Sequence, residues 1–189
     1  MNEETFIHSS AEIAAGARIG GRTRIWQNSI ILDGAIIGDE CKLAHNIFVE
    51  GGVRVGDRVT IKDNITLYNG LTVGDDVFIG PNVVFTNVKI PRSFLPRGEN
   101  NFLKTVIGVG ASLGANATII CGNTIGRYAM VGAGSVVTGD VPCHTMVAGN
   151  PARQIGWVSV SGHRLGPDLI CPENGEKYEE TSSGLARSE

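Results

Sequence analysis

A chain of 189 residues, 42% of them hydrophobic, is long enough for one sizeable domain with a small appendage. The net charge of -3 gives no electrostatic reason to expect a nucleic-acid partner. No run approaches the ~20 apolar residues that a membrane span needs. The first residues, Met-Asn-Glu-Glu-Thr, lack the basic and apolar segments of a signal peptide. The four cysteines show no paired spacing, so we expect reduced thiols and a cytoplasmic protein. Because there is no long apolar run, we expect no membrane partner.

From its first residues onward the chain repeats with a period of six, and its 26 glycines recur with it. Every sixth position is aliphatic or aromatic up to Phe85, and the series resumes in a new phase at Ile107. A helix has a period of about 3.6 and a half-buried strand a period of about 2, so neither explains a strict six. Short strands joined by tight corners do. The repeat positions are Ile7, Ile13, Ile19, Ile25, Ile31, Ile37, Leu43, Val49, Val55, Ile61, Leu67, Val73, Ile79 and Phe85, then Ile107, Leu113, Ile119, Ile125, Val131 and Val137.

A longer period of eighteen residues is superimposed on the six. It relates the dipeptides Gly38-Asp39, Gly56-Asp57 and Gly74-Asp75. Three hexads per coil predict a triangular prism whose coils pair in parallel at about 4.8 Å. The Gly-Asp pairs are then expected to fill one edge, where the backbone needs a positive φ. The same register predicts columns of polar residues on the other edges: Asn28, Asn46, Asn64 and Asn82; Gln27, His45, Asp63 and Pro81; and Asp33, Gly51, Asn69 and Asn87.

A long segment, 88–106, interrupts the repeat. It carries a basic set suited to phosphates or a carboxylate: Lys89, Arg92, Arg97 and Lys104. A long excursion from a regular prism is more often functional than accidental, which favours contact with a substrate. The alternative is a solvated loop that grips a neighbouring subunit.

The end of the second block carries a recognisable motif. Gly149-Asn150-Pro151-Ala152-Arg153, after Gly132-Ala133-Gly134-Ser135-Val136-Val137, resembles the terminal signature of the hexapeptide acyltransferases. The stretches 80–88, 114–122 and 151–157 are similar to the nucleotide-sugar 3-N-acetyltransferases within that family. The resemblance covers residues 6 to about 157. It implies an all-β fold, a left-handed parallel β-helix over 1–157, followed by a tail over 158–189.

The resemblance also implies an activity. Family members transfer the acetyl group of acetyl-CoA to the 3-amino group of UDP-linked 2-acetamido-3-amino-glucuronate, or of dTDP-linked 3-amino-3,6-dideoxyhexoses, amino sugars of the kind found in lipopolysaccharide O-antigens. They work as homotrimers with active sites between subunits. The loop arginines favour the UDP-aminouronate, with the dTDP sugar as the alternative acceptor.

The loop contains no histidine, and this favours an amine acceptor over a hydroxyl. A hydroxyl needs a base before it can attack, whereas a neutral amine attacks directly and sheds its proton afterwards. By the family's pattern Asn87 is the catalytic residue and orients the sugar amine. Arg97 and Arg92 are expected to bind an anionic part of the substrate, and a backbone N–H between Gly108 and Ala115 to polarise the thioester carbonyl.

The candidate binding residues fall into two groups. His45 is expected to contact the nucleotide or the sugar, with a role as catalytic base as the alternative. The substrate-binding candidates are His45, Asn46, Lys62, Asn64, Tyr68, Arg92 and Arg97. The candidates for binding acetyl-CoA are Gly108, Ala115, Ala133, Asn150, Pro151 and Arg153.

The tail departs from the family's pattern. Close relatives often carry two cysteine knuckles of zinc-ribbon type here, where this chain reads Ser159-Val160-Ser161-Gly162 and Cys171-Pro172-Glu173-Asn174-Gly175. Because one thiolate cannot build the usual tetrahedral site, we predict a degenerate remnant with no bound metal. The charged, serine-rich end from Glu179 onward is expected to be disordered.

Other readings of the same fold are less well supported. A γ-type carbonic anhydrase needs three histidine ligands, and no two histidines here are close in sequence. Serine and maltose acyltransferases place a histidine in the loop. A non-catalytic structural β-helix predicts an uninterrupted prism, which the loop and the terminal motif contradict.

Overall fold

The structure of the protein, a computed structural model, describes residues 4–96 and 98–188. In this part of the chain the regular structure is short β-strands and one 3₁₀ turn, Glu99–Asn101, and no helix is long and apolar enough to cross a bilayer. The strands are β1 (Phe6–Ile7), β2 (Glu12–Ile13), β3 (Arg18–Ile19), β4 (Arg24–Ile25), β5 (Ile30–Ile31), β6 (Ile36–Ile37), β7 (Lys42–Leu43), β8 (Ile47–Val49), β9 (Arg54–Val55), β10 (Thr60–Ile61), β11 (Ile65–Leu67), β12 (Leu71–Val73), β13 (Phe78–Ile79), β14 (Val84–Phe85), β15 (Thr105–Ile107), β16 (Ser112–Leu113), β17 (Thr118–Ile119), β18 (Thr124–Ile125), β19 (Met130–Val131), β20 (Val136–Val137), β21 (Thr145–Gly149), β22 (Ala152–Trp157), β23 (Tyr178–Thr181) and β24 (Gly184–Arg187).

The strands form three parallel faces of a prism. Face 1 is β1-β4-β7-β10-β13-β16-β19-β21, with β22 added antiparallel; face 2 is β2-β5-β8-β11 followed by β14-β17-β20; face 3 is β3-β6-β9-β12-β15-β18. Each strand pairs with the strand one coil away, so that Ile61 lies opposite both Leu43 and Ile79. We number the coils 1 to 8 by their face-1 strands, from β1 to β21. The fold is the predicted left-handed parallel β-helix.

The interior confirms the period of six. From Ile25 onward each repeat position points inward, and Ile61, Leu67 and Ile107 are fully buried. Burying one such side chain contributes about 1.5–3 kcal/mol. Small residues two positions earlier, such as Ala35 and Ala117, are buried with them and let the corners close.

Three edges join the faces. We call the edge between faces 1 and 2 edge A, that between faces 2 and 3 edge B, and that between faces 3 and 1 edge C. The asparagine column lies on edge A with φ between 54° and 60°, as the corner chemistry of asparagine predicts: Asn28, Asn46, Asn64 and Asn82.

On edge C the Gly-Asp pairs play a different part from the predicted one. The positive φ falls after the pair, at Glu40 in one coil and Arg58 in the next. The glycine is needed for close packing, because a Cβ on Gly38 would lie 2.3 Å from Asp57 Oδ1 and 2.5 Å from a backbone oxygen of the next coil. The aspartate carboxylate accepts a hydrogen bond from the backbone of the coil before it, at 2.8 Å from Asp39 N to Asp57 Oδ1.

The loop leaves the prism at edge B. Its return is anchored where Leu103 N donates to the Asn87 carbonyl at 2.9 Å and Thr105 N donates to Gly70 O at 3.0 Å. Because β15 begins at Thr105, the excursion ends two residues earlier than predicted.

The tail is ordered as far as Ser188, so the expected disorder from Glu179 onward is wrong for the residues that the structure describes, and Glu189 lies outside them. β23 and β24 form an antiparallel hairpin. A second small core buries Leu165, Cys171, Tyr178 and Leu185, with Trp157 packed against it. These residues give the tail enough apolar contacts to hold a fixed conformation.

Candidate active site

Edge A brings together the polar residues that the eighteen-residue register predicted. His45 Nδ1 lies 2.7 Å from Asp63 Oδ1, one coil apart, with both side chains partly exposed. Asn46 Nδ2 donates to Asn64 Oδ1 at 3.0 Å, and Asn64 Nδ2 donates to Asn82 Oδ1 at 3.1 Å. The result is a hydrogen-bonded polar ridge across coils 3 to 5.

Asn87 lies on edge B in coil 5, where the loop begins. Its backbone carbonyl is held by Leu103, but its carboxamide makes no hydrogen bond with any other residue that the structure describes. A cavity of about 240 Å³ opens beside it, lined by Val88, Lys89, Ile90, Asn101 and Leu103. Asn87 therefore offers one free acceptor oxygen and one free NH₂ donor next to a small, largely apolar space.

Two candidates for binding acetyl-CoA lie on edge A below the ridge. Ala115 is in coil 6 and Ala133 in coil 7, and neither N–H donates a hydrogen bond within the described residues. Unpaired N–H groups in a groove can bind a carbonyl oxygen. Gly108, by contrast, lies on edge C, and its N–H already donates to Ile125 O at 2.8 Å. The Gly108 N–H is therefore already occupied, and the binding of acetyl-CoA by Gly108 stays a prediction.

A cleft of about 270 Å³ at the C-terminal end holds Arg153. It is lined by Arg153 together with Thr138, Gly139, Asp140 and Gln154. Gly139 lies two coils below Asn87 in the edge-B column, because Phe85 pairs with Ile119 and Ile119 with Val137. Asn150 and Pro151 form the turn between β21 and β22 at the same end of the prism.

The remaining candidates are more dispersed. Lys62 is exposed on face 1 next to Asp63, whereas Tyr68 packs against the core towards edge B. Arg92 is exposed in the loop, and its Nη1 donates to the carbonyl of Pro91 at 3.0 Å. Arg97 lies outside the described residues.

Face 2 lies between the candidates on edge A, such as His45 and Ala115, and Asn87 on edge B. Its outward side chains in coils 2 to 7 are all uncharged: Ile30, Phe48, Thr66, Val84, Thr118 and Val136. Face 1 carries Arg24 and Lys42 at the equivalent positions, and face 3 carries Arg18 and Arg54. A long, flat, uncharged strip of this kind is typical of a subunit interface.

The tail contains a polar cluster that sequence reasoning missed. Cys171 accepts hydrogen bonds from the hydroxyls of Ser159 and Ser161 and from backbone N–H groups, which lower its pKa to about 7 against the opposing effect of burial. Ligand atoms of His163, Cys171 and Glu173 lie within 4.8 Å of one another. This set has one sulfur ligand and two partly exposed ones, unlike the usual structural zinc site. The absence of a bound metal stays a prediction.

His144 lies near the C-terminal end of the prism, where its position in the sequence allows either a structural role or contact with the cofactor. It is buried on edge C, and its Nδ1 lies 3.0 Å from Val158 O in the tail. Its ring stacks against Tyr128 on the prism and meets Tyr178 of the tail edge-on. Burial lowers the pKa of His144, with smaller contributions in the same direction from Arg127 and Arg187. His144 therefore joins the tail to the last coils rather than contributing to the groove.

Two solved acetyltransferases share the architecture. PerB from Caulobacter crescentus, in complex with CoA and GDP-perosamine, superposes with a TM-score of 0.55 at 23% identity, covering 82% of this chain and 58% of that one. The acetyltransferase domain of PglB from Neisseria gonorrhoeae, in complex with acetyl coenzyme A, gives 0.54 at 21% identity with the same coverage. At these identities the likeness shows the fold.

Curated relatives match over shorter stretches. The dTDP-3-amino-3,6-dideoxy-α-D-galactopyranose 3-N-acetyltransferase of Aneurinibacillus thermoaerophilus is 57% identical over 58 residues, 31% of this chain and 30% of the relative. Serine acetyltransferase 4 of Arabidopsis thaliana is 62% identical over 52 residues, 28% of this chain and 15% of the relative. The chain thus spans less than a third of the length of these relatives.

Two family models match the repeats themselves. The bacterial transferase hexapeptide (six repeats) matches residues 52–87. The hexapeptide repeat of succinyl-transferase matches residues 16–51 and 104–139. Together they cover more than half of the 189 residues and both blocks of the β-helix. The chain therefore belongs to the hexapeptide-repeat transferase family.

Proposed function

We propose that the protein is an acetyl-CoA-dependent N-acetyltransferase that acts on the amino group of a nucleotide-linked amino sugar. The observation that carries this proposal is the free carboxamide of Asn87, at the start of a loop without histidine and two coils from the Arg153 cleft at the C-terminal end of edge B. The dTDP-amino-sugar relative and the PerB complex with GDP-perosamine support the same class of acceptor.

The proposed assembly brings edges A and B of neighbouring subunits together. Edges A and B both border face 2, and its uncharged strip is suited to contact other copies of the chain. When three prisms turn face 2 towards a common threefold axis, edge A of each lies beside edge B of the next. We propose this homotrimer, in which Asn87 of one subunit faces the ridge of its neighbour across a groove.

Acetyl-CoA is proposed to occupy the C-terminal half of that groove. Two coils, about 10 Å, separate Asn87 from the level of Gly139. The free N–H groups of Ala115 and Ala133 lie at the levels between and can bind the carbonyls of the pantetheine arm or the thioester. Arg153 lies beyond them, where a guanidinium can bind the cofactor's phosphates.

The nucleotide sugar is proposed to occupy the N-terminal half. His45 lies in coil 3, two coils or about 10 Å along the axis from the level of Asn87. That offset is too long for one amine to contact both residues. His45 and Asp63 are therefore assigned to binding the substrate, with Asn46 and Asn64, and not to removing its proton.

The reaction needs no enzyme-bound acyl group. Asn87 accepts a hydrogen bond from the neutral sugar amine and aims its lone pair at the thioester carbonyl carbon. The new C–N bond forms and the C–S bond breaks. The sulfur leaves with the bonding electrons, and CoA thiolate takes up the proton that the nitrogen loses.

Two acceptors fit this site. The match to the Aneurinibacillus enzyme favours a dTDP-linked 3-amino-3,6-dideoxyhexose. The basic loop residues, among them Lys89 and Arg92, favour the carboxylate of a UDP-linked aminouronate. Both place a sugar amine at Asn87, so the assignment of the reaction class does not depend on the choice.

Asn87→Ala tests the role of the carboxamide. We expect kcat to fall about 100-fold, because an oriented polar group is lost from the transition state, while the Kd for CoA stays within twofold. Asn174→Ala, in the tail, is the matched control. Unchanged turnover in the Asn87 variant would remove this residue from the mechanism.

A further inference from the structure

A cleft on face 1 lies beside the polar ridge of edge A. It lies in coils 2 to 4, has a volume of about 330 Å³, and borders edge A next to the His45–Asp63 pair. Its lining residues are Arg24, Trp26, Lys42, Ala44, Thr60, Ile61 and Lys62. The cleft thus combines an aromatic ring with several cations on an otherwise flat sheet.

The aromatic part is available to a ligand. Trp26 is 42% exposed, and Phe6 supports its ring at a centroid distance of 5.2 Å. A tryptophan ring braced on one side and open on the other is a platform for a planar base.

The cationic part is also available. Lys42 and Lys62 are exposed and form no ion pair within the part of the chain that the structure describes. The acidic residues close to them in sequence have partners: Glu40, two residues before Lys42, pairs with Arg22, and Asp63, next to Lys62, pairs with His45. Two unpaired lysines about one coil apart suit the two phosphates of a nucleoside diphosphate.

The order of these groups along the prism matches one class of ligand. Lys62 is in coil 4, Lys42 in coil 3 and Trp26 in coil 2, which lie about 5, 10 and 14 Å from the level of Asn87 in coil 5. A nucleotide sugar presents its groups in the same sequence: the sugar amine, the diphosphate, the base. We propose that the face-1 cleft is the nucleotide subsite, with Lys42 and Lys62 on the diphosphate and Trp26 stacked on the base.

This inference rests on the proposed function and extends it: Trp26 and Lys42 are added to the substrate-binding candidates, and Lys62, already among them, is assigned to the diphosphate. Stacking accepts any base, because every base has a π-face. The cleft therefore fixes the class of ligand, a nucleoside diphosphate, and leaves the choice of base to other contacts.

Binding of UDP, dTDP and GDP, each without sugar or CoA, tests the subsite. Titration calorimetry gives the Kd, and quenching of tryptophan fluorescence reports stacking. We expect Trp26→Ala and the double variant Lys42→Ala/Lys62→Ala each to weaken binding of the preferred diphosphate about tenfold or more. Trp26→Phe should retain most of the affinity, and Lys177→Ala in the tail should leave it unchanged.

Two outcomes would overturn the subsite: full affinity in both the tryptophan and the double lysine variants, or no binding of any of the three diphosphates to the unmodified protein. Acetyl transfer to intact amino sugars is measured separately. Transfer without diphosphate binding would refute this subsite and leave the proposed function standing.

Discussion

His45 Nδ1 and Asp63 Oδ1 lie 2.7 Å apart on edge A, one coil from each other, and neither residue reaches the level of Asn87. The carboxylate holds the imidazole with Nδ1–H towards it and leaves Nε2 as an acceptor. A histidine–aspartate pair in an enzyme is often assigned to catalysis. In the proposed site, its place two coils from Asn87 puts His45 away from the reacting amine and favours a role in binding the substrate.

Replacement of His45 separates these two roles. We expect His45→Ala to raise KM for the nucleotide sugar about tenfold, the cost of one lost hydrogen bond, and to change kcat less than threefold. Steady-state kinetics with saturating acetyl-CoA measure both, with His8→Ala as control. A 100-fold fall in kcat with KM unchanged would show that His45 is the base after all.

The uncharged strip of face 2 makes a second prediction. Val84, 51% exposed, lies at the level of Asn87, and we expect Val84→Lys to place an unpaired charge in each subunit contact and convert the trimer to monomers. Light scattering coupled to gel filtration measures the mass, and transfer activity should be lost with the trimer. Val106→Lys on face 3 is the matched control, since it is also exposed. A trimeric Val84 variant would refute face 2 as the interface.

The buried imidazole of His144 predicts a dependence of stability on pH. Because its pKa is lower in the folded chain than the ordinary value near 6.5, the unfolded chain binds the proton more readily. Its contribution to stability is therefore fully present above about pH 6.5 and is lost as the pH falls towards the folded value, by at most about 1.4 kcal/mol per pH unit. Urea unfolding at pH 7.5, 6.5 and 5.5 measures the free energy of unfolding at each pH.

The matched variants are His144→Gln and His163→Gln. The first should flatten the loss of stability towards acid pH, and the second, at an exposed position, should not. The same pH dependence in all three proteins would show that some other group titrates.

The edge-C glycines predict a steric effect on stability. A Cβ on Gly56 would lie 2.2 Å from Asp75 Oδ1 and under 3 Å from backbone atoms of the next coil, whereas a Cβ on Gly139 meets nothing within 4 Å. We expect Gly56→Ala to lower the free energy of unfolding by about 1–3 kcal/mol, and Gly139→Ala to change it by less than about 0.5 kcal/mol. Thermal unfolding followed by circular dichroism measures the change in stability of each variant. Equal losses of stability in the two variants would contradict the close packing of the coils.

The repeat made most of the fold predictable from the sequence. The burial of Ile61 can be predicted because the same environment recurs in every coil, so that every sixth residue is expected to point inward. The eighteen-residue register even predicted the contact between His45 and Asp63, since a column in the sequence is a stack in space.

The parts that could not be predicted depend on contacts the period does not encode. The sequence offers any backbone N–H between Gly108 and Ala115 as a donor, and only the structure shows that the Gly108 N–H is already bonded to Ile125 O while that of Ala115 is free among the described residues. The tail core and the cluster around Cys171 arise from contacts between residues of the tail itself. The tail was expected to be disordered because its composition is charged and rich in serine, and composition does not show which of its apolar side chains contact one another.

The most direct test of the proposed activity is to incubate the purified protein with acetyl-CoA and, in separate reactions, UDP-2-acetamido-3-amino-glucuronate or a dTDP-3-amino-3,6-dideoxyhexose. Release of CoA thiol and the mass of the sugar product are followed together. We predict stoichiometric thiol release with the gain of one acetyl group on one of the two sugars, which also identifies the acceptor. Protein that binds CoA yet releases no thiol with either sugar would contradict the proposed acceptors, and failure to bind CoA at all would contradict the enzyme assignment itself.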